Sequence, residues 1–156
     1  MRLGEDRMST ASSSVISARP GWFRIVAILF LLWNLLGLYM FWSQYTMTPA
    51  QIAALTPEQQ TLWNNMPSWM WLVYGVAVAS GALGALVLIM GKRLALPLFI
   101  VSLVAIVIQF AQVFFPGGAL ELMGAAMALP MPAFIAAVAL LQVWFSRKAI
   151  ARGWIA

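Results

Sequence analysis

The sequence predicts an all-α integral membrane protein: a four-helix bundle of membrane spans, both termini cytoplasmic, with a short helical lid between spans one and two. Three observations carry this. Of the 156 residues, 63% are hydrophobic and only 8% are charged, against roughly half and a quarter in soluble domains. The apolar residues gather in long runs. A run of that length crosses a hydrocarbon core of about 30 Å as a helix, the form that pairs its own backbone groups in lipid. Finally, all nine Lys and Arg fall in the N-terminal tail and its junction, the link between the second and third runs, or the region after the fourth. The other two loops carry Glu58 and Glu121 instead. Four crossings put these two sets on opposite faces, and the positive-inside rule then places both termini in the cytoplasm.

Residues 1–19 are polar, small and Ser-rich. They have little to bury and read as a disordered cytoplasmic tail. The membrane domain occupies 20–152. Its first span, about 22–46, opens beside Arg19, Pro20 and Arg24. Trp22 marks one interface, and Tyr39, Trp42 and Tyr45 mark the other. The run is too long for a signal-peptide core. Bulky Phe41-Trp42-Ser43-Gln44 stands where a small-x-small cleavage site would, so the run reads as an uncleaved anchor. Asn34 lies near its middle, where an amide needs a partner, either another helix or a solute. Trp33 beside it reads as packing.

The loop at 48–66 repeats one pattern, Thr48-Pro49-Ala50-Gln51 and Thr56-Pro57-Glu58-Gln59. Threonine caps a helix, proline suits the first helical position, and glutamine three residues after the cap reaches back to it. Two short helices are expected, about 49–55 and 57–65, forming an extracytoplasmic lid.

The second span, about 68–90, has no charge from Met70 to Met90. Ala77, Gly81 and Ala85 recur every four residues, Ser80 and Gly84 form an adjacent row, and Gly75 adds a further small position. Such a face lets another helix approach closely, in the same chain or in a second subunit. Trp69, Trp71 and Tyr74 mark an interface at its start; Gly91 closes it. Only Gly91-Lys92-Arg93 separates it from the third span, about 94–115, so the two are antiparallel neighbours. Pro97 falls in the first turn, where it breaks no essential bond. Gln109 and Gln112, at i and i+3, share one face. They either line a solute path or bond to Asn34 or to backbone. Pro116-Gly117-Gly118 ends the span.

Residues 119–147 exceed one span and contain Pro130 and Pro132. The preferred reading is an interfacial helix near 119–127 and a fourth span at about 131–147; one long kinked helix is the alternative. Glu121 sits at the outer interface within reach of water. Gln142 approaches the closing interface. Arg147, Lys148 and Arg152 form a basic tail. With Arg24, Lys92 and Arg93 they are candidates for contact with anionic lipid headgroups.

The chain has no Cys and no His. Disulfides, thiolate chemistry, and zinc or haem ligation by those residues are excluded. No carboxylate cluster suits a metal, and no Gly-rich phosphate loop follows a strand. An acid–base pair would need Glu58 and Glu121 to meet. The expectation is a non-enzymatic protein with no metal and no cofactor. The net charge of +5 is explained by orientation in a bilayer, not by nucleic acid. The first three spans hold no embedded carboxylate, which weakens a proton-coupled carrier.

Leu32-Trp33-Asn34-Leu35-Leu36-Gly37, Gln44-Tyr45-Thr46-Met47-Thr48-Pro49 and Met66-Pro67-Ser68-Trp69 together resemble a family of small four-helix bacterial inner-membrane proteins. The similarity spans about Pro20 to Trp154. It implies a multi-pass location in the bacterial inner (plasma) membrane. Some members carry the automated label "sugar transporter", which implies transport but transfers no site residue. Two functions follow as expectations. The first is an accessory or self-associating component whose partners are the lipid bilayer and either its own copies, as a homo-oligomer, or a larger membrane complex. The alternative is an oligomeric transporter or facilitator of a small, sugar-like solute, with Asn34, Gln109, Gln112 and Gln142 supplying hydrogen bonds. Amides converging on a continuous cavity would favour the second; amides paired in a dry core would favour the first.

Overall fold

The computed structural model describes residues 19–156; the tail expected to be disordered lies, apart from Arg19, outside the described residues. Helix α1 (Gly21–Tyr45) follows Pro20, whose extended backbone and fixed φ set the entry into the helix. The two Thr-Pro-x-Gln segments start α2 (Pro49–Ala53) and α3 (Pro57–Asn64). Each is closed by a reciprocal capping box. Gln51 N–H donates to Thr48 Oγ1 at 3.3 Å while Gln51 Oε1 accepts from Thr48 N–H at 2.8 Å. Thr56 and Gln59 repeat this at 3.4 and 3.2 Å. Gln60 then ties the pair together, its Nε2 donating to Ala53 O and Leu55 O.

Helix α4 (Ser68–Ile89) ends at Gly91, φ +77°. Gly91 N–H donates to Leu88 O at 2.9 Å and Lys92 N–H to Val87 O at 3.1 Å, the Schellman pattern that needs a left-handed residue. A Cβ at Gly91 would also collide with the Arg19 guanidinium. Helix α5 (Ala95–Ala111) is shorter than the run 94–115, and its end tightens into a 3-10 turn at Gln112–Phe114. Pro116 is the cause: it disfavours helical backbone at Phe115, which is extended at φ −78°, ψ 157°.

The region after Pro116 combines both readings of the sequence. The single helix expected near 119–127 is instead α6 (Ala119–Met123) and α7 (Ala125–Ala128), separated by Gly124 at φ +77°. After a break at Leu129, α8 (Pro130–Ala151) begins with proline in its first turn. Ala133 N–H already bonds Leu129 O at 3.0 Å, so Ala125–Ala151 is one helical course with a kink. Helix α8 runs past 147. Arg147 and Lys148 therefore ride on its last turns and do not form a free tail.

Four helical courses, α1, α4, Ala95–Phe114 and Ala125–Ala151, are long and apolar enough to cross a membrane. Large apolar side chains such as Ile25, Leu72, Val104 and Leu140 lie exposed around the bundle, as on a surface that meets lipid and not water. Helix α4 is central, packing against α1 and α5; α5 packs against α8. The small residues of α4 make this possible. Gly75 meets Phe41, Gly81 meets Asn34 and Ser102, and Gly84 meets Phe99 and Leu98. Ala77, Ser80 and Ala85 are buried beside them. That face is therefore spent on helices of the same chain. Ser102 Oγ adds a crossing bond to Ala77 O at 2.7 Å.

The aromatic core lies toward the end bearing Arg19, Lys92, Arg93 and Arg152, hereafter the basic end. Phe145 stacks on Phe23 with ring centroids 5.6 Å apart and meets Phe30 edge-on at 5.5 Å. Phe30 in turn meets Phe99 at 6.3 Å. Residues 154–156 fold back over this core. Ala156 N–H donates to Gly91 O at 3.0 Å, and Arg93 N–H donates to Ala156 O at 3.1 Å. Arg19 Nε donates to Trp154 O at 2.6 Å, and Ile155 is fully buried. The opposite, lid end carries α2, α3, α6 and α7.

Candidate functional site

Between the aromatic core and the lid end, the side chains of α1, α4, α5 and α8 leave a cavity of about 310 Å³. Its floor is built from Asn34. Asn34 stands one turn after Phe30 and donates Nδ2–H to Phe30 O at 2.7 Å. The bond stays within α1, not between helices. It fixes the amide against Gly81, where a Cβ would occupy the space of Asn34 Oδ1. Ser102 lines the same floor with its hydroxyl turned to Ala77 O.

Higher up, Gln44, Tyr74 and Gln109 line the wall. Asn34 Nδ2 and Ser102 Oγ are bonded within the protein; the Gln109 amide is bonded to none of the described residues. A second cavity of about 520 Å³ lies beneath the lid and shares Gln44, Gln109 and Phe110 with the first. Gln59 and Gln112 line it, with Trp63 and Met66 from the lid. Gln44, Gln109 and Phe110 thus stand between the two, one cavity toward mid-bundle and the other toward the lid end. The pair falls in the size range of ligand pockets, about 300–1,000 Å³. No charged side chain lines either cavity among the described residues. Nor do three His, Cys, Asp or Glu come together among them.

The structure divides the four amides singled out in the sequence. Asn34 and Gln109 share the first cavity; Gln109 and Gln112 share the second. Gln142 joins neither. It is 2% exposed, and among the described residues its Nε2 has no partner; Ser146 Oγ, one turn on, has none there either. Gln44 is the residue that sequence reading missed. Its signal was present: Gly37, Phe41 and Gln44 follow Asn34 at heptad-like spacing, which puts both amides on one face of α1.

The basic residues have other company. Arg93 Nε reaches Ile155 O at 3.4 Å. Lys148 Nζ sits 4.6 Å from the Trp144 ring centroid, and the Arg152 guanidinium lies 5.2 Å from that of Trp154. Arg24, Lys92 and Arg147 are exposed. Glu121 Oε2 accepts from Gly117 N–H at 2.7 Å, which holds the turn before α6.

Comparison of the chain with known protein families, curated proteins and solved structures finds no match. Its geometry alone defines what the site can do. It offers the Asn34 carbonyl oxygen, the amides of Gln44 and Gln109 and the Tyr74 hydroxyl, set in apolar walls. That suits an uncharged molecule with a few hydrogen-bonding groups.

Proposed function

We propose that this is a non-enzymatic, multi-pass protein of the bacterial inner membrane that takes a small uncharged solute into the cavity between its four spans, as a carrier or facilitator. One observation supports this above the others: the Gln109 amide, partly exposed and bonded to none of the described residues, lines both cavities. An amide left without a protein partner inside a membrane bundle is costly unless water or a solute serves it. The orientation belongs to the same reading. The basic end faces the cytoplasm and the lid faces outward, in keeping with the placement of Lys and Arg. Toward the basic end the path is blocked by Phe30, Phe99 and Phe145. In this reading the structure is the outward-open form of a protein that must also open the other way. The accessory or self-associating reading drew on the small-residue face of α4 and on the absence of embedded charge. That face is occupied by α1 and α5, so the cavity is the better guide.

The test is flux in proteoliposomes with a panel of radiolabelled uncharged solutes, beginning with glucose and glycerol and extending to more apolar compounds. Saturable movement of at least one is expected. Gln109→Leu should lower it at least tenfold while the variant still elutes as a folded species. No flux and no binding above empty vesicles across the panel would overturn the proposal.

A further inference from the structure

The cavity is thinly walled on one side, and that wall says what class of solute it takes. We infer that the solute is an uncharged amphiphile already dissolved in the bilayer, and that it enters sideways between α1 and α8. This rests on the cavity being a solute site at all.

The backbones of α1 and α8 stand apart, unlike those of the α1–α4, α4–α5 and α5–α8 pairs. Rings fill the gap. In the basic half Phe23, Phe30 and Phe145 close it firmly. In the lid half the bridge is Trp33 edge-on to Phe134, centroids 5.3 Å apart, and Phe134 is itself exposed. Leu36, Met40 and Met131 line the cavity here, yet are 47%, 46% and 63% exposed on the outer surface. The wall is one side chain thick. Two of the three are methionines, unbranched and able to swing aside. A molecule lying in the surrounding hydrocarbon would thus be separated from Gln109 by side chains, with no backbone to cross.

The chemistry inside fits such a molecule. Val78, Ile106, Phe110 and Ile135 offer no hydrogen bonds. A sugar has a hydroxyl on almost every carbon. Each one left unpaired against these walls would oppose binding, since an unpaired buried polar group is penalised. An alkyl or prenyl chain would fill the same space without that penalty. The polar groups gather toward the lid end, at Gln44, Tyr74 and Gln109, where one compact head would find them. A phosphate or carboxylate head would find no cation among the described residues, because none of those lining the cavity is charged. The head would then point along the second cavity toward the water at the lid end.

The experiment uses a monoacylglycerol with a diazirine in its acyl chain. It is added to the protein in vesicles of phosphatidylethanolamine and phosphatidylglycerol, irradiated, and its adducts are mapped by mass spectrometry. Saturable labelling is expected on cavity residues such as Gly37, Val78 and Ile106. Excess unlabelled monoacylglycerol should reduce it at least tenfold; glucose and lysophosphatidylglycerol should not. Labelling of Val104, on the outer surface, should not saturate. Gln109→Leu should lower cavity labelling several-fold, and the competition series holds whether or not that variant folds. Labelling confined to outer surfaces, with glucose binding or flux under the same conditions, would overturn the amphiphile and leave a solute site standing. Equal competition by lysophosphatidylglycerol would overturn the uncharged head. Absence of both cavity labelling and solute binding would overturn the inference together with the function it rests on.

Discussion

At Gly81 the space normally held by a side chain is filled by the Asn34 amide of the neighbouring helix. Asn34 cannot easily retreat, because its Nδ2–H is bonded to Phe30 O and the residue is 8% exposed. Gly81→Ala should therefore cost about 1–3 kcal/mol through overpacking, partly offset by the better helix propensity of alanine. Denaturant titration in mild detergent would measure it. In an Asn34→Ala background the penalty should largely vanish, since the clash has lost its partner. Gln142 invites the opposite result. Its amide nitrogen is buried with no partner among the described residues, and such a group destabilises whatever surrounds it. Gln142→Leu should leave stability unchanged or raise it by about 1 kcal/mol. A loss larger than that in the same titration would mean the amide has a partner, such as a buried water.

The lid shows how far local rules reach along the chain. Thr-Pro-x-Gln encodes a helix start through bonds no more than three residues apart, so α2 and α3 were legible without any tertiary information. Thr56→Ala should cost about 1 kcal/mol locally. It should speed amide exchange across Pro57–Asn64 while α4 and α5 stay protected, as hydrogen-exchange mass spectrometry would read. Where elements end was harder to see. The unwinding of α5 into a 3-10 turn depends on what Pro116 does to Phe115. The division of α6 from α7 depends on a positive φ at Gly124. Neither shows in hydropathy, which does not report backbone conformation. The persistence of α8 beyond Arg147 was hidden for a related reason. Arg147 and Lys148 look like the end of a span in composition, although nothing in them stops a helix.

For the whole molecule, the count of long apolar helices was legible because each run is long and the loops between them differ in charge. The cavity was legible only in part. Asn34 and Gln109 stand out as amides in apolar runs, yet their meeting depends on α1 and α8 being held apart by rings. That is a property of packing, and Gln142 looks the same in sequence while ending elsewhere. The proposed orientation makes a direct demand on whole-molecule topology. Reporter fusions should place the Lys92 turn inside the cell and the Glu58 segment outside; the reverse assignment would remove the outward-facing lid. Ile155→Ala should cost about 2–5 kcal/mol, as for other fully buried aliphatic residues, and should loosen Gly91–Arg93 in hydrogen exchange even though that turn is far away in sequence. The contact between Arg19 and Trp154 joins positions 135 apart, and Trp154 follows all four helices in the chain. During synthesis, then, three completed helices would still leave Phe23 and Leu88 without their cover. The bundle gains its final fastening only after the fourth helix has been threaded, so an intermediate lacking it would be open at one mouth and vulnerable to proteases there.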